Sequence, residues 1–467
     1  MVREPAARRR AHLFLAGLIV FGWVGACWYS APSPKTIWFY DAPVYLSMAY
    51  DLEHVGRFTD GTGWGTPSAD PTRPSGMIRS PLDPAFLAVS AELDPVFGRT
   101  LDCLVQTGLA PSCPQSAPLP RILQFLMTVA VFLMTGRIAH RLTGSPRIAW
   151  LSLGVALITA PVLIRYAQTL MTETLCLFFT TLATLAAVEV FRGRRPFAWA
   201  VLSGAMIGLA TLTRPNFLYF LPAVGLVALP IVLRSPQRRR GMATLAAFLL
   251  AGVCVITPWV LRNRVVLGHF GLTSGYAQLA LTQRVAFDAM GWRQFAAFNL
   301  CSLPDGVGMG SLLIGPTACN RFGYEIRPDT FYGVGSTTIL HSPAVVAGGT
   351  RYVLVHDILA HPVWHALVSI PMAMRGLWID HYWGFVLAVL CVPLTVRALR
   401  ARDAATLAIT LPGWLMLAFY AALSANQTRF NLMLIVPFSF AGGLAVDRLV
   451  RRLTARHWQS GDSALRD

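Results

Sequence analysis

Residues 238–262 of the 467-residue chain read RRRGMATLAAFLLAGVCVITPWVLR. The stretch from Met242 to Leu261 contains no charged side chain, and about twenty apolar residues are what a helix needs to cross about 30 Å of hydrocarbon. Three arginines precede it, and such clusters favour the cytoplasmic side of a membrane. The segment therefore predicts a transmembrane helix that begins in the cytoplasm.

The composition of the whole chain supports the same interpretation. Apolar residues make up 55% of the chain and charged residues 13%, against about 25% charged in soluble proteins. A water-facing surface of ordinary polarity cannot be built from so few charges. The formal net charge is nevertheless +17, which in a soluble protein would suggest a nucleic-acid partner. The location of this charge therefore decides its meaning.

Ten apolar stretches have the length of a membrane span. They cover residues 11–29, 120–136, 148–164, 171–191, 197–213, 215–233, 242–261, 380–396, 404–423 and 430–447. The first is too long and too aromatic for a cleaved signal peptide and is predicted to be a retained anchor. The sequence thus predicts an all-α polytopic membrane protein, a single integral membrane domain over residues 1–467.

Basic residues are concentrated in six of the segments that flank these stretches. The six hold 22 of the 39 Lys and Arg residues and are the N-terminus, 137–147, 192–196, 234–241, 397–403 and the basic tail 448–467. By the positive-inside rule they are cytoplasmic, so both termini are predicted to lie inside. These six segments account for the net positive charge of the chain. The positive and negative charges of the outer face nearly balance. Because no basic stripe remains to follow phosphates, the pattern argues against a nucleic-acid partner.

Two long segments, residues 30–119 and 262–379, are then predicted to lie outside. Each contains one local pair of cysteines, Cys103 with Cys113 and Cys301 with Cys319. An oxidising compartment would let both pairs close as disulfides, and four free thiols are the alternative. Ionisable residues are rare in the middle of the spans, whereas a transporter needs them there. We therefore expect chemistry at the outer membrane–water boundary, on a substrate that is partly in lipid.

The first outer segment carries the most informative motif. It begins KTIWFYDAPVYLSMAYDLEHVGRF at residues 35–58 and continues RPSGMIRSPLDPAFLAVSAEL at residues 73–93. Asp41 and Tyr45 share one face at the start of a predicted helix, where Asp41 alone would be read as an N-cap. Arg79 precedes a Pro-rich turn and alone would be read as a solvated loop residue.

The pattern D41-x3-Y45-x3-A49-x2-L52-x3-G56, followed by R79-S-P81-x2-P84-x2-L87-A88, resembles the first outer loop of C-type (GT-C fold) glycosyltransferases. It is similar in particular to the protein O-mannosyltransferase and aminoarabinose-transferase branch, whose members take sugars from polyprenyl-phosphate carriers. Four later segments resemble the same family, in order: MTETL at Glu173, LATLTRPNFL at Arg214, TPWVLRNRVVLGHF at Arg262 and QTRFNLMLIVPF at Arg429.

The resemblance implies roles for individual residues. An attacking acceptor hydroxyl needs a base within hydrogen-bond reach, and Asp41 occupies the position of the family's acidic residue. The departing lipid phosphate needs preorganised positive charge, which is assigned to Arg79, with Arg262 and Arg429 as further candidates or, alternatively, as snorkelling interfacial residues. Candidates for the substrate pocket are Tyr45, Arg73, Asp83, Glu173 and Arg214, and packing of its loop helix is the alternative role of Tyr45. Asp83 departs from the family pattern and is a second candidate for the base.

The second outer segment has no readable catalytic motif and is expected to shape the acceptor site. His356, His361 and His365 are spaced by five and four residues, which does not place them on one helical face, and Pro362 would interrupt a helix there. Neither they nor His381 predict a metal site, and no cofactor is predicted. The stretch HPVWHALVSIPMAMRGLW at residues 361–378 is predicted to be an interfacial amphipathic helix, with Arg375 directed toward lipid phosphate.

The sequence therefore predicts an inverting glycosyltransferase at the outer face of the cytoplasmic (inner) membrane. Its partners would be a polyprenyl-phosphate-linked sugar donor, membrane lipids and a hydroxyl acceptor on a glycan, a lipid or a protein. Two alternatives stay open. A ligase for pyrophosphate-linked glycans would favour a large Arg-rich outer loop, and a lipid or glycan flippase would need inverted repeats and a hydrophilic path at the midplane.

Overall fold

The computed structural model describes residues 6–31, 36–38, 41–62, 68–234, 236–303, 315–379 and 382–463. Within them the regular structure is helical, and one isolated bridge joins Thr59 to Ser75. The α-helices in chain order are α1 Ala6–Ser30, α2 Ala42–Val55, α3 Leu82–Leu93, α4 Pro95–Gln106, α5 Pro118–Thr143, α6 Pro146–Leu157, α7 Ala160–Gln168, α8 Thr172–Arg192, α9 Pro196–Thr213, α10 Phe220–Leu233, α11 Arg238–Leu267, α12 Tyr276–Val285, α13 Trp292–Cys301, α14 Pro316–Asn320, α15 Phe331–Val334, α16 Pro343–Tyr352, α17 Pro362–Gly376, α18 Tyr382–Ala401, α19 Ala404–Leu423 and α20 Ile435–Ser463.

Short helices of other types adjoin several of these. Pro215–Tyr219, Ala286–Ala289 and Thr428–Leu434 are 3₁₀-helical, and Gly335–Ile339 and Val353–Ile358 are π-helical. Proline is the first residue of α4, α5, α6, α9, α14, α16 and α17. It suits that position because its fixed φ is already helical and its missing N–H would have no partner there.

Eight helical segments of the described chain are long and apolar enough to cross a membrane. They confirm eight of the predicted spans, and the chain is a multi-pass membrane protein. The segments are Pro118–Thr143, Thr172–Arg192, Pro196–Thr213, Pro215–Leu233, Arg238–Leu267, Tyr382–Ala401, Ala404–Leu423 and Thr428–Thr454. The predicted anchor lies in α1, whose apolar part is the shorter segment Phe14–Ser30.

The predicted span at residues 148–164 is interrupted. It consists of α6 and α7, which meet at an angle of 54°. Pro161 has no N–H to donate to the Leu157 carbonyl one turn earlier, so a continuous helix would leave that carbonyl without its partner. The indole of Trp23 in α1 donates to Leu157 O instead, over 3.0 Å. Pro161 therefore accounts for the bend, and the hydrogen bond from Trp23 attaches α1 to it.

A second bent pair was not predicted as a span. Residues Pro343–Ile358 and Pro362–Gly376 are together apolar enough for one, but they are bent by 96°. The sequence predicts an interfacial helix over the second part, and α17 lies there. Arg375 differs from expectation because its guanidinium donates to Phe322 O over 2.7 Å and lies 4.3 Å from the ring centroid of Tyr324. Arg375 is therefore used inside the protein rather than directed to lipid phosphate.

The chain forms two compact units. Unit 1 comprises residues 1–272, 390–409 and 435–467, and unit 2 comprises residues 273–389 and 410–434. In unit 1 the spans pack through small residues, as membrane helices do. A Cβ at Gly204 of α9 would lie 2.0 Å from Phe248 O of α11, so these two backbones touch only because glycine stands there.

Each unit has its own buried apolar core. In unit 1 the loop-1 segment, defined here as residues 30–119, packs α2, α3 and α4 around fully buried Leu46, Leu87, Phe97 and Leu101. In unit 2 an aromatic core contains Phe287, Phe298 and Phe322. The loop-1 core holds the residues of the candidate site in a fixed arrangement.

Candidate active site

Asp41 stands immediately before α2, whose second residue is Pro43. This is the N-cap position, but the Asp41 side chain makes no capping hydrogen bond to the helix. Its Oδ1 instead lies 3.3 Å from Nη2 of Arg79. The carboxylate is therefore directed toward the second half of the loop-1 segment, and helix capping does not explain its presence.

Arg79, Asp41 and Tyr45 come together although Arg79 is far from the other two in sequence. The Arg79 side chain is 5% exposed and that of Asp41 is 17% exposed. The guanidinium carbon of Arg79 lies 5.8 Å from the ring centroid of Tyr45, within the range of a cation–π contact. Three of the residues predicted for the site thus form one cluster, in which a carboxylate retains contact with solvent beside a buried positive charge.

The turn that carries Arg79 is fixed from two sides. Next to it, the Ser80 hydroxyl donates to Thr211 O at the end of α9, over 3.3 Å. On the other side, the backbone N–H of Ile78 donates to Asp60 Oδ1 over 2.7 Å. Gly76 allows this approach, because a Cβ there would lie 2.0 Å from the same carboxylate oxygen.

Arg262 holds the same turn from α11. Its Nη1 donates to Gly76 O over 2.7 Å and its Nη2 donates to Phe58 O over 2.9 Å. Its guanidinium also lies 4.9 Å from the ring centroid of Trp259. These contacts bind the two chain segments that the Thr59–Ser75 bridge joins, so Arg262 positions the loop-1 segment. A direct contact of Arg262 with a lipid phosphate stays a prediction.

Arg73 also has a partner within the loop-1 segment. Its Nη1 lies 2.5 Å from Oδ2 of Asp51, which is fully buried, and its Nη2 donates to Ser68 O over 2.8 Å. The Thr59 hydroxyl donates to the same carboxylate oxygen of Asp51. A buried aspartate needs such partners, so this pair supports the fold of the loop. The sequence pattern did not indicate Asp51 as a partner of Arg73.

Glu173, Arg214 and Asp83 form a third charged group in unit 1. Arg214 Nη2 lies 2.9 Å from Glu173 Oε1, and Arg214 Nε donates to Thr172 Oγ1 over 3.1 Å. Asp83 in the first turn of α3 is fully buried, and neither carboxylate oxygen has a hydrogen-bond partner within the described chain. Burial, followed by the charge of Glu173, raises the pKa of Asp83 well above its ordinary value. The role of Asp83 as a second candidate for the base stays a prediction.

Arg429 lies in unit 2, in the 3₁₀ helix before α20. It is buried, its Nε donates to Gln427 Oε1 over 2.7 Å, and its guanidinium lies 5.3 Å from the ring centroid of Phe430. Its predicted contact with the donor phosphate stays a prediction.

The two cysteine pairs that the sequence singled out are each bonded. Cys103 Sγ lies 2.09 Å from Cys113 Sγ, at the end of α4 in the loop-1 segment. Cys301 Sγ lies 2.12 Å from Cys319 Sγ in unit 2. Among the described residues, four further cysteines are thiols, namely Cys27, Cys176, Cys254 and Cys391.

A charged cluster in unit 2 was not predicted. Arg284 is fully buried and donates to Asp288 Oδ1 over 2.7 Å, while His365 Nδ1 lies 2.5 Å from Asp288 Oδ2. His365 Nε2 lies 2.8 Å from Ala422 O. Both ring nitrogens of His365 therefore face oxygens of the protein. The i, i+4 spacing of Arg284 and Asp288 was the available signal. His381 lies outside the described residues, and no metal-binding group of three or more His, Cys, Asp or Glu occurs within them.

Comparison with known proteins places this arrangement in context. Residues 118–261 match the family model for dolichyl-phosphate-mannose-protein mannosyltransferase. The fold matches the archaeal oligosaccharyltransferase AglB from Archaeoglobus fulgidus, solved with an inhibitory peptide and a dolichol-phosphate, with a TM-score of 0.50 and 12% identity. That match covers 97% of this chain and 52% of AglB, so the chain spans about half the length of that protein.

A further structural match is ArnT from Cupriavidus metallidurans bound to undecaprenyl phosphate, with a TM-score of 0.41, 14% identity, and coverage of 95% of this chain and 79% of ArnT. A sequence comparison with curated proteins gives no significant match. The chain has the GT-C fold, and its resemblance to glycosyltransferases of the protein O-mannosyltransferase type is confirmed over residues 118–261.

Proposed function

We propose that the chain is an inverting glycosyltransferase that moves a sugar from a polyprenyl-phosphate donor to an acceptor hydroxyl. The Asp41–Arg79 pair carries this proposal. It joins a partly exposed carboxylate to a buried guanidinium at 3.3 Å, and these are the two groups that the reaction requires. The GT-C fold and the partial match to a mannosyltransferase family support the proposal.

In the proposed reaction the acceptor oxygen attacks the anomeric carbon from the face opposite the phosphate. A new carbon–oxygen bond forms while the bond to the phosphate oxygen breaks, and the hydroxyl proton passes to Asp41. A base in this position contributes about 10²–10⁴ in rate. One displacement without a covalent intermediate inverts the anomeric configuration.

Arg79 would stabilise the negative charge that develops on the departing phosphate. A phosphate leaves as an anion and needs no acid, so a guanidinium fixed in a weakly hydrated place serves it well. Tyr45, packed beside Arg79, would line the sugar pocket. Arg262 holds the Arg79 turn through Gly76 and Phe58 and acts as a positioning residue in this proposal.

The proposed location is the outer face of the cytoplasmic membrane, with both termini inside. The concentration of Arg in the short segments between spans supports this orientation. A dolichol-phosphate is bound in the structure of AglB, and a lipid carrier of that chemical class would reach the loop-1 segment from the bilayer. The proposed acceptors remain a glycan, a lipid or a protein hydroxyl of the cell envelope.

The test is mass spectrometry of envelope glycans and lipids from a strain that lacks the gene. We expect one glycosylated product to disappear, to return with the wild-type gene, and to stay absent with Asp41→Asn, which keeps the side-chain shape but cannot take the proton. Asp70→Asn makes the same chemical change at an exposed loop carboxylate and should restore the product.

Three results would count against the proposal. Restoration by Asp41→Asn would refute the base assignment. Loss of a whole preassembled glycan rather than one sugar would favour a ligase for pyrophosphate-linked glycans. Unreacted substrate that accumulates on the cytoplasmic side would favour a flippase.

A further inference from the structure

A cleft of about 480 Å³ lies between α1 and α7, apart from the candidate active site. On α1 it is lined by Trp23, Ala26, Cys27 and Ser30, which recur at the spacing of one helical face. On α7 it is lined by residues that include Pro161 and Arg165. The small side chains at Ala26, Cys27 and Ser30 leave the space that larger residues would fill.

The helix break at Pro161 forms one end of this cleft. Trp23 both lines the cleft and donates its indole N–H to the Leu157 carbonyl that Pro161 leaves without a helical partner. The cleft therefore lies beside a bend that is built into the fold and attached to α1.

The charges of the cleft indicate its occupant. Arg165 is exposed and makes no ion pair within the described chain, and the lining contains no carboxylate. Most of the remaining lining is apolar. Trp23 is part of it, and tryptophan is enriched at the level of lipid headgroups. A molecule with an anionic head and an alkyl chain fits both properties, with its head at Arg165 and its chain along Ala26 and Trp23.

We propose that this cleft binds a phospholipid with an anionic headgroup from the surrounding bilayer. One arginine near a membrane surface contributes about 1 kcal/mol to the attraction of anionic lipid, which corresponds to about fivefold in affinity. The bound lipid would hold α1 against α7 where the helical hydrogen bonding of α6 and α7 is interrupted.

The test uses the full chain purified in detergent, with phosphatidylglycerol and the zwitterionic phosphatidylcholine as probes. Native mass spectrometry measures how much of each lipid stays bound. We expect preference for phosphatidylglycerol in the wild type, about a fivefold loss of that preference in Arg165→Gln, and recovery in Arg165→Lys. Arg99→Gln removes an exposed positive charge elsewhere in unit 1 and should change nothing.

The alkylation rate of Cys27 locates the bound lipid. Phosphatidylglycerol should slow the reaction of Cys27, which lines the cleft, but not that of Cys254, which is exposed on α11. An unchanged Cys27 rate, or equal effects of Arg165→Gln and Arg99→Gln, would overturn the proposal.

Two other outcomes would assign the cleft to a different occupant and so would also overturn the proposal. A Cys27–Cys27 crosslink in membranes would indicate a second copy of the chain. Protection of Cys27 by polyprenyl phosphate at concentrations where phosphatidylglycerol gives none would indicate the carrier lipid of the proposed reaction.

Discussion

The Asp41–Arg79 pair in unit 1 and the Arg284–Asp288–His365 cluster in unit 2 both join arginine to carboxylate. In the cluster, Arg284 is fully buried and each of its three nitrogens donates to an oxygen of the protein. In the pair, the Asp41 side chain is 17% exposed and its contact with Arg79 is longer, at 3.3 Å.

Under the proposed function, this difference separates a structural use of charge in unit 2 from a chemical one in unit 1. A buried charge needs compensation by hydrogen bonds and an opposite charge, and the cluster supplies both within the protein. The two carboxylates are similarly exposed, 17% for Asp41 and 13% for Asp288, but Arg284 is bound to protein oxygens through all three of its nitrogens, whereas Asp41 and Arg79 approach each other less closely. We therefore expect variants of the cluster to change stability and variants of the pair to change turnover.

The largest effect is expected from Arg284→Gln. It leaves the Asp288 carboxylate, which is 13% exposed, beside His365 without its guanidinium partner, and removing one member of a buried charge pair costs about 3–5 kcal/mol. Unfolding of the purified protein in detergent, followed by circular dichroism, measures this loss. Arg327→Gln in the same unit removes an exposed arginine that pairs with Glu325 and should cost less than about 1 kcal/mol. Equal unfolding curves for the two variants would mean that the cluster stabilises the fold no more than the exposed Arg327–Glu325 pair does.

The next effect is expected from Arg79→Gln in the pair. Loss of a preorganised group that stabilises developing charge lowers turnover by about 10²–10³, while the unfolding transition should shift less than in Arg284→Gln. Single-turnover transfer from a polyprenyl-phosphate sugar measures the first quantity. Arg99→Gln is the matched control for a lost positive charge. A variant of Arg79 that unfolds early but turns over normally when folded would assign this arginine to structure.

Much of the fold follows from the sequence, because a membrane span must be apolar over about twenty residues. The stretch Met242–Leu261 therefore predicted α11, although the helix extends from Arg238 to Leu267. Polar residues at the interface continue a helix without contributing to its apolar signal, so helix ends were less well predicted. The bend at Pro161 shows a second limit, since the proline is visible in the sequence but its compensating partner Trp23 is not.

The contacts of the candidate site were harder to predict from the sequence than the membrane spans. Asp41 and Arg79 were joined by family resemblance, because contacts between distant loop residues leave no periodic pattern. The same holds for Arg73, whose partner Asp51 looks like an ordinary polar residue of α2. Arg262 was predicted to bind phosphate from its place at a span end, and its contacts to Gly76 and Phe58 carbonyls became visible only in three dimensions.

Variants of Arg262 therefore test whether this residue positions the Arg79 turn or binds the lipid phosphate. Hydrogen bonds from a charged group are worth about 1.5–3 kcal/mol, so Arg262→Gln should increase amide exchange over residues 68–76 by about one to two orders of magnitude. Turnover should fall as the Arg79 turn loosens, and Arg262→Lys should recover part of both. A raised KM for the donor with unchanged exchange would instead place Arg262 on the lipid phosphate.

The smallest effect is expected from Asp83→Asn. Asp83 is a buried acid that belongs neither to the Asp41–Arg79 pair nor to the Arg284–Asp288–His365 cluster. The pKa of Asp83 is raised well above its ordinary 3.8, first by burial and then by Glu173. The folded protein then binds this proton more tightly than the unfolded chain. Its contribution to stability is full below about pH 4 and is lost as pH rises through the raised value.

Asp83→Asn removes this dependence, because the amide stays neutral at every pH. The unfolding midpoint of the wild type should therefore fall relative to that of the variant as pH rises from 4 to 8. For Asp70 the sign is opposite, since hydrogen bonds from Thr72 lower its pKa, and its exposure keeps the effect small. Parallel curves for the wild type and Asp83→Asn would mean that Asp83 is ionised in the fold. Arg214 would then have to balance both Asp83 and Glu173, and the group would resemble the Arg284 cluster rather than a neutral buried acid.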